Sequence, residues 1–242
     1  MSAARILSID ALDLAFAPRA WPFAEAQAER IAAHWRARVA AKPRLFNGRV
    51  LLLGRHAIDA DQRGMTLRGE YFETDFAEFL AWRDFGFPDL TVANAFSMAA
   101  LVSADGAFML GEMAPHTANG GATYFPAGTA DPSDVFDGKV DLAASALREL
   151  AEETGITADA IACDSGWTVV YAPPRIACMK LMRLREPAEA VKAQVEAFLA
   201  ADSDAELSAM RIVRGPADLD RARAPGFILD FLDDAFAQKS VG

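Results

Sequence analysis

Residues 96–110 are the nearest this chain comes to a membrane-spanning stretch, and Ser103-Ala104-Asp105-Gly106 inside them decides what they become. A transmembrane helix needs about 18 or more consecutive apolar residues, and this run is shorter and carries a charge. Asp-Gly between two apolar runs is instead a hairpin signal, because glycine takes positive φ at no steric cost. The spacing predicts strands over 95–102 and 107–113. The chain is therefore expected not to cross a membrane. Its first residues, MSAARILSIDALDLAF, lack a basic segment followed by a long apolar core, so no secretory signal is read and the cytoplasm is the expected location.

With 242 residues, 52% of them hydrophobic, the chain can bury a sizeable core as one large domain or two small ones. A formal net charge of −10 excludes nucleic acid backbone as a standing partner, since phosphate contacts need a basic footprint. A small phosphate ligand stays compatible if a metal neutralises it. The two cysteines, Cys163 and Cys178, lack metal-ligand spacing and read as free thiols. His34, His56 and His116 are scattered and form no ligand pattern.

A strand is expected over 4–16 and a helix over 22–41, ended by Pro43. Strands over 50–58 and 65–72 flank a polar turn at 59–64, and a short helix follows near 75–84. Beyond the hairpin, a strand at 123–125 enters Pro126-Ala127-Gly128 and a long turn running through Asp137-Gly138. Further strands are expected at 166–171, 176–185 and 207–213. Val191, Val195, Phe198 and Leu199 share one helical stripe, and Ile228, Phe231, Leu232, Ala235 and Phe236 another. This order suggests an α/β (α+β mixed) fold, a mixed sheet covered by helices on both sides.

The chemistry concentrates in residues 141–156, DLAASALRELAEETGI. Asp141 can cap a helix start and Gly155 can end it in a left-handed conformation. With Glu149 at zero on the helical wheel, Glu153 lies at about 40° and Glu152 at about −60°, so three carboxylates share one arc. Leu142, Ala143, Ala146, Leu147 and Leu150 form the packing face beside them. On a plain solvated face this pattern is unfavourable. Glu149 repels Glu152 and Glu153 by roughly 0.2–0.5 kcal/mol each, and the last turn is the negative end of the helix dipole. A cation offsets both effects. Carboxylate oxygens suit a hard divalent ion, magnesium with manganese as the alternative, which keeps waters and binds substrate phosphates. Without the ion, mutual repulsion is expected to raise at least one of the carboxyl pKa values, so occupancy falls in acid.

Arg148-Glu149-Leu150-Ala151-Glu152-Glu153-Thr154-Gly155-Ile156 is similar at all nine positions to the second half of the Nudix box, Arg-Glu-apolar-x-Glu-Glu-x-Gly-apolar. At average residue usage its five fixed residues recur by chance about once in a million starts, which makes the match specific. The first half departs from the family. Counting back, the family glutamate falls on Val140 and its glycine on Asp134; aligning Phe125-Pro126-Ala127-Gly128 with the family's Pro-Gly-Gly turn instead leaves an insertion of six residues. In the family that glutamate helps anchor the box arginine. Here Asp137 or Asp141 is a candidate for the role, and a simple i,i+4 pair of Arg148 with Glu152 is the alternative.

The resemblance implies a Nudix-type α/β/α sandwich as a single domain, with residues 95–215 as the core, 1–94 as an amino-terminal elaboration and 216–242 as a carboxy-terminal helix. It implies Glu149, Glu152 and Glu153 as magnesium ligands and, with Arg148, as the catalytic set. Asp202, Asp204, Glu206 and Glu112 are candidates for an acid outside the box that activates water. The implied reaction is hydrolysis of a phosphoanhydride bond in a small nucleoside-diphosphate derivative. Leu45-Phe46-Asn47-Gly48 and Trp82-Arg83-Asp84-Phe85-Gly86 faintly resemble the UDP-glucose and UDP-galactose diphosphatase branch, which implies a sugar nucleotide and makes Phe46, Trp82 and Phe85 stacking candidates. The altered first half of the box also fits a nucleotide-binding or regulatory module that recognises its ligand without cutting it. Oligomeric state stays open, a homodimer included.

Overall fold

The computed structural model describes residues 4–62 and 64–241, the side chains of 239–241 excepted. The strand expected over 4–16 is two strands, β1 (Arg5–Ile9) and β2 (Ala11–Phe16), which belong to different sheets. Asp10 makes the corner: its N–H donates to the Met65 carbonyl and its carboxylate accepts from the Met65 N–H, 2.7 Å away. The helix expected over 22–41 is likewise divided, into α1 (Pro22–Ala26) and α2 (Ala28–Ala41), at Gln27, whose φ of −113° leaves helical geometry. A hairpin longer than expected follows, β3 (Arg49–Asp61) and β4 (Gly64–Asp75), then α3 (Phe76–Asp84).

β5 (Asn94–Val102) and β6 (Phe108–Met113) are the hairpin that Asp105-Gly106 predicted, with Gly106 at φ +81°. β7 (Thr123–Tyr124) pairs with β6. The stretch read as a long turn contains a further hairpin, β8 (Val135–Phe136) and β9 (Lys139–Val140), turned by Asp137 and Gly138 at φ 46° and 72°. The order continues with α4 (Leu142–Thr154), β10 (Ile161–Cys163), β11 (Trp167–Ala172), β12 (Arg175–Leu184), α5 (Ala188–Ala200), β13 (Leu207–Val213) and α6 (Gly226–Val241).

The strand order suggests one mixed sheet, and the described residues form two. The larger runs β1-β11-β12-β5-β6-β13, with β10 beside β12 and β7 beside β6; β12 and β5 are its parallel pair, in register from Arg175 with Asn94 to Arg183 with Val102. The smaller runs β3-β4-β2-β9-β8, with β2 parallel to β4. A single buried cluster joins them: Leu14, Leu53, Leu67 and Tyr71 from the smaller sheet meet Val169, Ile176 and Cys178 from the larger. Leu142 at the start of α4 enters this shared core, while Ala146 and Leu150 enter the other core on the larger sheet, beside Leu101, Met179 and Val195. Each fully buried leucine contributes about 1.5–3 kcal/mol, so the rotation of α4 about its axis is fixed. Among the described residues no helix is long and apolar enough to cross a membrane.

Candidate active site

Both ends of α4 follow the expected capping. Asp141 accepts from the N–H groups of Ala143 and Ala144, each at 3.0 Å, and Gly155 closes the helix at φ +72°. A Cβ at position 155 would lie 2.6 Å from the Phe198 ring, so both the backbone conformation and the space call for glycine.

With the apolar face seated, the three glutamates separate. Glu149 and Glu153 turn inward, 15% and 5% exposed, while the side chain of Glu152 is 60% exposed and pairs with Arg148 at 3.3 Å. The turn Pro126-Ala127-Gly128 lies against the inward pair. A Cβ on Gly128 would fall 2.1 Å from Glu149 Oε1, so the backbone approaches this acid as closely as only glycine allows. The Ala127 backbone N–H donates to Glu153, yet Glu153 Oε2 is buried with no hydrogen-bond partner among the described residues. Burial, then the charges of Glu152 and Glu206, push the Glu149 carboxyl up to about 7 against the pull of Arg148. Burial, then the charges of Glu149 and Glu206, push Glu153 up to about 9. The direction matches the expectation, with desolvation rather than repulsion as the larger cause.

Arg148 corrects a sequence expectation. Its anchor is neither Asp137, which sits in the β8–β9 turn, nor Asp141, which caps α4; it is Asp134, in a 3-10 turn over Pro132–Asp134. Arg148 Nη2 reaches both Asp134 oxygens, at 3.1 and 3.3 Å, and the Asp134 side chain is 3% exposed. Asp134 also accepts from the Asp131 N–H at 3.0 Å, so the acid is itself held. Arg148 in turn pairs with Glu149 at 2.8 Å, and the i,i+4 contact with Glu152 exists alongside. The loop that leads into α4 thus folds back and sets a carboxylate against Arg148.

Of the four acids considered outside the box, Glu206 is the one whose charge acts on both Glu149 and Glu153. Glu112 is taken by Arg211 and Arg223, each at 2.8 Å. Asp204 pairs with Arg44 at 2.8 Å, and Asp202 accepts from the Asp204 N–H.

Two cavities open nearby, one at the Ala127-Gly128 turn and one at Glu206. One of about 440 Å³ is bounded by Ala127 and Gly128 and carries Lys42, Arg83, Asn94 and Arg175. The other, of about 760 Å³, carries Asp131, Glu206, His116 and Phe46. Phe46 is 81% exposed and free to stack on a ligand. Trp82 is not: it is fully buried, with its indole N–H donated to the Asp89 carbonyl. Phe85 is occupied by the Arg30 guanidinium, 4.6 Å from its ring centre, and by His34. Gly120, from the Asn119-Gly120-Gly121 turn, lines the first cavity.

Among the described residues no three His, Cys, Asp or Glu side chains stand close enough to encircle an ion. Glu149 and Glu153 still suit a divalent cation. They are hard oxygen donors, they are buried together, and the orphaned Glu153 Oε2 lacks a partner that an ion would supply. Sequence reasoning missed Gly128, Asp134 and the cationic lining of the smaller cavity; the Gly128 turn had been aligned with the family, which was the available signal for that residue.

No family model and no curated protein matches the sequence. Among solved structures the chain is similar to Nudix hydrolases. A MutT/Nudix family protein from Listeria innocua is 18% identical, over 61% of this chain and 94% of that one, with a TM-score of 0.43. A Nudix hydrolase from Nitrosomonas europaea is 14% identical over 78% and 89%, with a TM-score of 0.42. The Nudix hydrolase RenU from M. smegmatis is 16% identical over 61% and 84%, with a TM-score of 0.39.

Proposed function

We propose that the chain is a Nudix-type hydrolase, a protein that splits a phosphoanhydride bond with a divalent ion on its acid helix. Its particular substrate, in our reading, is a small nucleoside-diphosphate derivative, with sugar nucleotides the first to test. The observation that carries this is the inward pair Glu149 and Glu153, with one oxygen unpartnered among the described residues, packed against the Ala127-Gly128 turn on a helix that matches the box at nine positions.

Glu149 and Glu153 would hold magnesium, or manganese in its place, with Glu152 as the third carboxylate at the same end of α4. When bound, such an ion neutralises phosphate oxygens and lowers the pKa of a bound water. The chain's own residues supply the rest. Asp134 holds Arg148, Arg148 orients Glu149, and Gly128 leaves room for the carboxylate. Glu206 is our candidate for accepting the proton of the attacking water. A new P–O bond forms from water as the bridging P–O bond breaks, and the departing phosphate takes the electron pair.

The altered first half of the box gives little support to a binding-only module, because Asp134 supplies the anchor that the missing glutamate would have provided. Purified protein with magnesium should release a nucleoside monophosphate from at least one sugar nucleotide. Glu153→Gln and Glu152→Gln should each reduce that turnover by about 100-fold or more while the circular dichroism stays unchanged. Undiminished turnover in Glu153→Gln would remove the assignment, and tight binding without product would select the binding module.

A further inference from the structure

Among the described residues, the cavity beside Ala127 and Gly128 is lined by three cations from three separate elements and by no acid, in a chain whose net charge is −10. Lys42 follows the end of α2, Arg83 lies in the last turn of α3, and Arg175 opens β12. Lys42 donates to the Thr117 carbonyl and Arg175 lies over the Phe87 ring, 4.9 Å from its centre; neither makes an ion pair among the described residues. Arg83 is partly neutralised by Asp84 at 3.2 Å and donates to the Asn119 side chain. Burial and the charge of Arg83 both lower the pKa of Arg175, so the two guanidinium groups act on each other. Like charges gathered without an acid cost free energy that a bound anion recovers.

A second observation points the same way. Asn94 Oδ1, on the same cavity, is buried and has no hydrogen-bond partner among the described residues. Such an acceptor is satisfied by a ligand hydroxyl or N–H. Phe96 and Phe227, edge to face at 5.3 Å, supply an apolar wall. The Ala127-Gly128 turn bounds the cavity and also touches both inward acids, so the cavity and the acids share one wall.

Resting on the function proposed above, we propose that this cavity is a second anion subsite, selecting substrates that carry a further carboxylate or phosphate monoester on a hydroxyl-bearing group outside the diphosphate. The diphosphate is served by the ion at the acid helix. Lys42 and Arg175 then remain for another negative charge, and Asn94 accepts from a neighbouring hydroxyl.

The test is binding to chelator-treated protein at pH 7 and low salt, measured by calorimetry on matched pairs. UDP-glucuronate against UDP-glucose tests a sugar carboxylate. A nucleoside diphosphate sugar with a 2′-phosphate on its ribose, against the same compound without it, tests a phosphate monoester. The charged member of one pair should bind about 10- to 100-fold more tightly, the size of one charge-assisted hydrogen bond. Arg175→Gln and Lys42→Gln should each bring that ratio towards one. A ratio of one in both pairs, or a ratio unchanged in both variants, would overturn the subsite. No turnover enters the measurement, so a failure of hydrolysis and a failure of this subsite are read separately.

Discussion

Raising the pH of chelator-treated protein from 6 to 9.5 should destabilise it, and Glu153 sets most of the size. Its carboxyl is pushed up to about 9 in the fold, against 4.5 for an unburied glutamate. Between those two values the folded state holds a proton that the unfolded state has released. Stability fully present below 4.5 is therefore lost as pH climbs, and the loss is complete once pH passes about 9. Each unit corresponds to about 1.4 kcal/mol, so the climb from pH 6 amounts to on the order of 4 kcal/mol, a large part of a typical domain's total. Glu149, pushed up to about 7, adds to the loss in the lower part of the window. Urea unfolding at a series of pH values, on wild type and Glu153→Gln, reads the effect of Glu153 together with its coupling to Glu149, because the titrating groups away from this pair are common to both proteins. The variant should gain several kcal/mol on the wild type as pH rises. Magnesium added at pH 9 should restore the wild type and do little for the variant. Parallel curves for the two proteins, or a wild-type stability that is level or rising over this range, would refute the buried, unpartnered carboxylate.

Asp134→Ala should cost about 1–3 kcal/mol by leaving Arg148 without the buried carboxylate that Nη2 bonds, and should lower turnover by about 10- to 100-fold as other orienting contacts do. Asp137→Ala should leave turnover unchanged, and kinetics showing the reverse order would return the anchor to Asp137. Gly128→Ala places a methyl group 2.1 Å from Glu149 Oε1, so the carboxylate must move. A magnesium titration of activity should shift to higher concentration in that variant while the fold survives, and an unchanged midpoint would show that the turn does not constrain the acid.

What was legible in the sequence depended on neighbours within a turn or two. The limits of α4 follow from Asp141 and Gly155, whose capping is settled by their own backbone and side-chain chemistry. The Asp105-Gly106 hairpin and the single stripe of Leu142, Ala146 and Leu150 are local in the same sense. Helical spacing also placed Glu149 and Glu153 one turn apart on a shared face. Where that face points was not local. The same arc held Glu152, and only the seating of Leu142 and Leu150 in two different cores turned Glu152 to solvent and the other pair inward.

Contacts between distant segments belonged to the tertiary structure alone. The corner at Asp10 depends on Met65, fifty-five positions away, and creates the second sheet that strand order did not foretell. Trp82 and Phe46 are equivalent as aromatic residues in the sequence, and packing buries one completely while leaving the other bare. Asp134 meets Arg148 only because the loop before α4 folds into a 3-10 turn and a hairpin, a path that residue spacing cannot encode. The gathering of Lys42, Arg83 and Arg175 is likewise the work of three elements converging. Local sequence determined the acid helix, its ends and its donor chemistry, because capping and helical period act over a few residues. Burial decided which acids face inward, what holds them and what surrounds them, because desolvation and long-range charge exist only once the sheets have closed.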